Sequence, residues 1–220
     1  MGLLVENIKL GMVYNMRNIT IAIIDYSVGN HSSVLRTLRA LGYRAKISRE
    51  KNELDKADLL MLPGVGAYPT AMHFLYKYDL VSYLQNAHKS SKPLIGICLG
   101  MQLLAESSKE IKFTTGLGLI PGTIEPIKGK KWHIGWNTIE ANEDDNIFKL
   151  SDNESMFYNH SYCYDGPQKY ISAISRLDKK ENFIVSAIRK GKTIGLQFHP
   201  EKSQQSGLEL LKRIINEISG

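Results

Sequence analysis

The chain has 220 residues, 43% of them hydrophobic and 23% charged, with a formal net charge of +6. That length suits one domain with a sizeable core, and that balance excludes a disordered or fibrous chain. Its 28 Lys and Arg are interspersed with 22 Asp and Glu, so the excess reads as a solvated basic surface and no nucleic-acid partner is expected. No run approaches the roughly 18 consecutive apolar residues of a membrane span. Two cysteines, Cys98 and Cys163, make no secreted disulfide scaffold. A cytoplasmic protein without a membrane partner is expected.

Residues 1–18 read as an N-terminal tail, broken by Glu6, Lys9 and Arg17, and residues 19–220 as the folded domain. Ile19 to Asp25 is a short β-branched run leading into the turn-prone Ser27 to Asn30, the pattern of a buried strand before a helix. Val34, Leu38 and Leu41 then recur at helical spacing, and Gly42 stands where a helix stops. Strands are expected at Arg44 to Ser48, Leu59 to Leu62 and Leu94 to Cys98, with helix-length segments after the last two. From about Gly116 the pattern changes to short strands: Thr123 to Ile127, Trp136 to Glu140, Ser155 to Tyr158, Tyr170 to Ser175 and Phe183 to Arg189. These are expected to extend the sheet in mixed fashion. Leu208, Leu211, Ile215 and Ile218 form one stripe of a closing helix. The alternation predicts an α/β three-layer sandwich whose mostly parallel central sheet carries functional loops at its strands' carboxyl ends.

Gly96-Ile97-Cys98-Leu99-Gly100 is the most informative stretch. Glycines two before and two after a nucleophile permit a tight strand-to-helix turn, which exposes the sulfur and sets it at a helix start, where thiolate is favoured. The alternative at this point is a cysteine that merely fills core space. A thiolate needs a base and the base an orienter. His199-Pro200-Glu201 offers both, because alternate residues of an extended segment share a side. His31, His73, His88, His133 and His160 have no acid similarly placed and read as structural or surface histidines. The order Cys, His, acid differs from that of the α/β-hydrolases. His-x-Glu is too sparse for a zinc motif, so no metal is expected. Pro63-Gly64-Val65-Gly66 is a glycine loop after a strand, suited either to donating amides to an oxyanion or simply to turning.

Together these residues resemble class I glutamine amidotransferases, and more narrowly the glutaminase subunits of imidazole glycerol phosphate synthases. Further matches are Gly96 to Gln102 as a whole, Asp25-Tyr26 with Gly29-Asn30, His133-Ile134-Gly135-Trp136-Asn137, His160-Ser161-Tyr162 and the run from His199 to Ser203. Ser27 stands where glycine is usual, and Trp132 where proline is common. The resemblance implies the family's flavodoxin-like core, with Cys98 as nucleophile, His199 as base and acid, and Glu201 as its orienter. It implies the amides of Val65 and Leu99 as oxyanion donors, and Gly66, Gln102, Ser161 and Tyr162 as residues holding L-glutamine. Trp136, Asn137 and Lys202 match positions that face a (β/α)8-barrel cyclase subunit in a heterodimer, which uses the ammonia to make imidazole glycerol phosphate and AICAR. No cofactor is implied. The alternatives are a paralogous subunit feeding a sugar amidotransferase in surface-polysaccharide synthesis, a cysteine peptidase or amidase of similar fold, and a non-catalytic regulatory subunit.

Overall fold

A computed structural model describes residues 18–177 and 182–220. The expected tail lies outside the described residues, apart from Asn18. In chain order the elements are β1 (Thr20–Ile24), α1 (His31–Ala40), β2 (Arg44–Ser48), α2 (Lys51–Asp55), β3 (Leu59–Gly64), α3 (Tyr68–Lys77), α4 (Val81–Lys89), β4 (Leu94–Cys98) and α5 (Leu99–Leu103). There follow β5 (Ser107–Ser108), β6 (Thr114–Thr115), β7 (Thr123–Pro126), β8 (His133–Thr138), β9 (Glu140–Ala141), α6 (Asn146–Lys149) and β10 (Ser155–His160). The chain continues through β11 (Tyr162–Asp165), β12 (Ile171–Arg176), β13 (Phe183–Lys190), β14 (Thr193–Leu196) and α7 (Gln204–Ile218).

The main sheet has the order β2-β1-β3-β4-β14-β13-β12-β9. Its first five strands are mutually parallel and the rest antiparallel. Alternation along each strand divides the core. Ile21 and Ile23 pack on one face with Val34 and Leu38 of α1 and Leu210 and Ile214 of α7. Ala22 and Ile24 pack on the other with Leu75 of α3, Leu84 of α4 and Leu103 of α5. The result is the expected three-layer sandwich, with the central strands apolar on both faces.

Several expectations need correction. The later strands do not all extend the main sheet: among the described residues β8 pairs only with β10, and β11, β7, β5 and β6 form a separate sheet. Trp136 to Glu140 breaks into β8 and β9, which belong to different sheets. The segment after β4 is helical for five residues only. On α7 the stripe is completed by Leu210 and Ile214, which are buried, while Leu208 sits at its edge. Among the described residues no helix is long and apolar enough to cross a membrane.

Candidate active site

β4 delivers Cys98 to the turn into α5 with φ +55° and ψ −111°, a strained backbone that costs on the order of 1–3 kcal/mol. Its glycines make the turn feasible. A β-carbon on Gly96 would lie 2.6 Å from the Gly100 oxygen, and one on Gly100 would overlap the Leu62 carbonyl oxygen of β3. The expectation of an exposed sulfur is not met: Cys98 is only 6% exposed. Its Sγ donates to the Asn159 carbonyl at 3.7 Å, and the Gln197 amide nitrogen approaches Sγ at 3.9 Å. Strand β10, which carries Asn159, thus closes over the turn. Cys163 lies on β11 outside this site, and burial pushes its thiol up to about 11.

Pairing of β3 with β4 sets Gly64 opposite Cys98, so Val65 and Gly66 leave their strand alongside Leu99. The close approach requires glycine at 64, where a β-carbon would be 2.9 Å from the Gly100 nitrogen. The Tyr26 hydroxyl donates to the Pro63 carbonyl at 2.7 Å and pins the loop from beneath.

His199 follows β14, the strand beside β4. The extended His-Pro-Glu segment expected from sequence is instead a 3-10 turn over Pro200–Lys202, since proline's fixed φ suits the first position of such a turn. The pairing survives this change: His199 Nδ1 lies 2.9 Å from Glu201 Oε1, with side chains 3% and 1% exposed. The Ser203 hydroxyl donates to the His199 carbonyl at 2.7 Å and accepts from the Phe157 amide at 2.9 Å, fastening the turn to β10. Burial works against the imidazolium. Hydrogen bonds to Cys98 and Glu201, and the negative charge both can carry, outweigh it and raise His199 to about 9.

Cys98 and His199 meet on a cavity of about 250 Å³ that Val65, Gly66, Leu99, Gln102, Ser161, Tyr162 and Lys202 also line. The Gln102 amide donates to the Tyr162 carbonyl at 2.9 Å and to Gln197 Oε1 at 3.1 Å. Both its N–H bonds are therefore used, and what Gln102 has left for a ligand is its carbonyl oxygen. Glu201 stands behind His199. Trp136 is half exposed and meets Phe157 edge-on at 5.8 Å, and Lys202 Nζ sits 5.9 Å from the same ring. Asn137 turns its amide nitrogen inward, to the Arg176 carbonyl at 2.8 Å.

Sequence reasoning missed Glu110, Asn159 and His160, which also line the cavity, and Gln197 behind it. Glu110 arrives on the loop between β5 and β6, accepts from the Tyr68 amide at 2.9 Å, and is pushed above the usual carboxylate range by burial. No spacing in the sequence ties that acid to Cys98. Gln197 had a signal, as a polar residue in the apolar run before His199.

A thiol held against an imidazole, a carboxylate behind the imidazole and a glycine loop beside the sulfur are the parts of an acyl-transfer site. Residues 22–217 match the family described as "Glutamine amidotransferase class-I", and the chain belongs to that family. Over 196 residues it is 44% identical to "Imidazole glycerol phosphate synthase subunit HisH" of Listeria monocytogenes serovar 1/2a, covering 87% of this chain and 93% of that one. The protein of the same name from Lactococcus lactis subsp. lactis is 41% identical over 201 residues, covering 90% and 98%. Among solved structures, "Structure of PurLQS from Thermotoga maritima" aligns with a TM-score of 0.73 at 19% identity, covering 91% of this chain and 99% of that one. That likeness supports the three-layer fold.

Proposed function

We propose that the protein is the glutaminase subunit of an imidazole glycerol phosphate synthase, releasing ammonia from L-glutamine for a cyclase barrel in histidine biosynthesis. The observation that carries the chemistry is the buried His199–Glu201 pair, 2.9 Å apart, set against Cys98 on a cavity of amino-acid size. The identity to the HisH proteins supports the pathway over the polysaccharide paralogue.

In this reading the Cys98 thiolate attacks the side-chain carboxamide carbon of glutamine. The oxyanion so formed is met by the backbone amides of Val65 and Leu99. His199, held protonated by its neighbours, gives its proton to the departing nitrogen, and ammonia leaves a glutamyl thioester on Cys98. His199, now neutral, takes a proton from water, which attacks the thioester and frees glutamate and the thiol. Glu201 fixes the imidazole and balances its charge throughout. The Gln102 carbonyl oxygen and the Glu110 carboxylate suit the α-ammonium of a free amino acid, with Gly66, Ser161 and Tyr162 completing the wall. That choice of charges favours glutamine over a peptide. Trp136, Asn137 and Lys202 lie on the side offered to the barrel, and the working assembly is a cytoplasmic heterodimer with no cofactor at this site.

The test is glutamate release from glutamine, alone and with the cyclase barrel and its nucleotide ligand. Strong stimulation by the barrel is expected. Activity that ignores the barrel would overturn the pathway assignment, and glutamate release by Cys98→Ala would overturn the chemistry.

A further inference from the structure

His133 and His160 are both buried, on the paired strands β8 and β10. His160 Nδ1 lies 2.8 Å from the Tyr162 carbonyl, His133 Nδ1 lies 3.1 Å from His160 Nε2, and Asn137 Nδ2 lies 3.4 Å from His133 Nε2. A carbonyl only accepts, so the proton of His160 is on Nδ1. A neutral imidazole has one N–H, so His160 Nε2 accepts and His133 Nδ1 donates to it. His133 Nε2 must then accept from the Asn137 amide. One carbonyl oxygen thereby fixes the polarity of three bonds in succession.

The surroundings keep both rings neutral. Burial drives His160 down to about 3, against the pull of the Tyr162 carbonyl and with help from the positive charges that His133 and His199 can carry. Burial, with Lys130 nearby, drives His133 down to about 4. Tyr158 packs on both rings at 4.7 and 5.8 Å, and its hydroxyl is committed to Ser175 and Ser186.

The Tyr162 carbonyl has a second donor, the Gln102 amide. Gln102 lines the cavity, and its other N–H reaches Gln197, whose amide nitrogen approaches Cys98 Sγ. The place of that one carbonyl therefore sets where the Gln102 carboxamide points.

We propose that His133 and His160 are positioning residues for glutamine: a neutral pair, each protonated on Nδ1, that holds the Tyr162 carbonyl and through it the Gln102 carboxamide where the substrate binds. This rests on the proposed glutaminase reading and names residues which that reading leaves without a role. The pair also joins the cavity wall to β8, the strand that presents Trp136 outward.

Imidazole 15N NMR of the wild-type protein tests the pair without reference to activity. Both rings are expected as the Nδ1–H form, unchanged between pH 6 and 8. An Nε2–H form, or a titration in that range, would overturn the proposal. Kinetics test the role. His133→Phe keeps the ring's bulk and removes both bonds, and losing one such bond is worth roughly tenfold in binding. Accordingly, KM for glutamine should rise about tenfold, with kcat changed less than about twofold and Cys98 alkylation by iodoacetamide unchanged. His133→Gln, which retains a donor and an acceptor, should recover part of the loss. An unchanged KM, or a fall in kcat alone, would overturn the proposal, and should His133→Phe fail to fold, His133→Gln is read in its place and is expected to raise KM by a smaller factor. A wild-type protein with Nδ1–H rings but no glutamine hydrolysis even with the cyclase barrel and its nucleotide ligand would sink the glutaminase reading, and the positioning role with it, leaving only the bonded pair.

Discussion

The Cys98 turn and the His199 turn approach one cavity from neighbouring strands, β4 and β14, but a missing β-carbon decides the first and a hydroxyl group decides the second. At the Cys98 turn the backbone of α5 is pressed against β3, and Gly96 and Gly100 are the residues without which the chains collide. At the His199 turn the Ser203 hydroxyl bridges to β10 by two bonds, each of ordinary length. Repulsion rises steeply as atoms are pushed together, whereas a hydrogen bond weakens gradually as its atoms separate. The nucleophile should therefore be lost all at once by small substitutions, and the base only by degrees.

Gly100→Ala should break the comparison most sharply. Its β-carbon overlaps the Leu62 carbonyl, and overpacking against backbone costs about 3 kcal/mol or more. At roughly 2–4 °C per kcal/mol for a chain of this size, Tm should fall by about 10 °C, with glutaminase activity abolished. A calorimetric scan and a glutamate assay check both. Next comes Glu201→Gln, which preserves shape but removes the charge behind His199. Loss of a well-placed acid-base arrangement is worth about 10²–10⁴-fold, so kcat should drop by that order while KM stays near wild type. Stopped-time glutamate assays at saturating glutamine measure it.

Ser203→Ala is the milder probe of the second turn. It leaves the Phe157 amide unpaired at a cost of about 1–3 kcal/mol, and urea unfolding should register that loss with kcat reduced only a few-fold. A collapse of activity as complete as that of Gly100→Ala would erase the distinction between the two turns. A further test concerns pH. His199 is raised above its unfolded value near 6.5, to about 9, so the stability it contributes is fully present below pH 6.5 and is lost as pH rises through 9. Urea midpoints of wild type and His199→Gln should converge between pH 6 and 9.5. A gap that widens with pH would show the sign to be wrong.

The same contrast explains what was legible beforehand. The strands β1, β3 and β4 are buried on both faces, so their β-branched and leucine-rich runs stand out, and their glycine-flanked ends announce the turns. The short later strands bury few residues: β5, β6 and β9 have two residues each, too few for any period to show. The candidate site divides likewise. Cys98 and the His199–Glu201 pair sit in local patterns, whereas Glu110 and the His133–His160 contact depend on pairings between segments far apart in sequence, which no local spacing encodes. The closure of β10 over Cys98 is of that kind, which is why its sulfur reads as exposed in sequence and is buried in space. Ser27 shows the reverse: it has φ +70°, a left-handed conformation that favours glycine, and the sequence comparison had marked it as an unusual residue there.

The order of the main sheet has a consequence for synthesis. β14 sits directly against β4, although roughly a hundred residues separate the strands along the chain. A ribosome-bound chain ending before Thr193 carries the Cys98 nucleophile and its glycine loop but neither His199 nor Glu201. The proposed hydrolysis therefore has no working intermediate during translation. Ammonia release is withheld until β14 and the His199 turn have left the exit tunnel and can join β4.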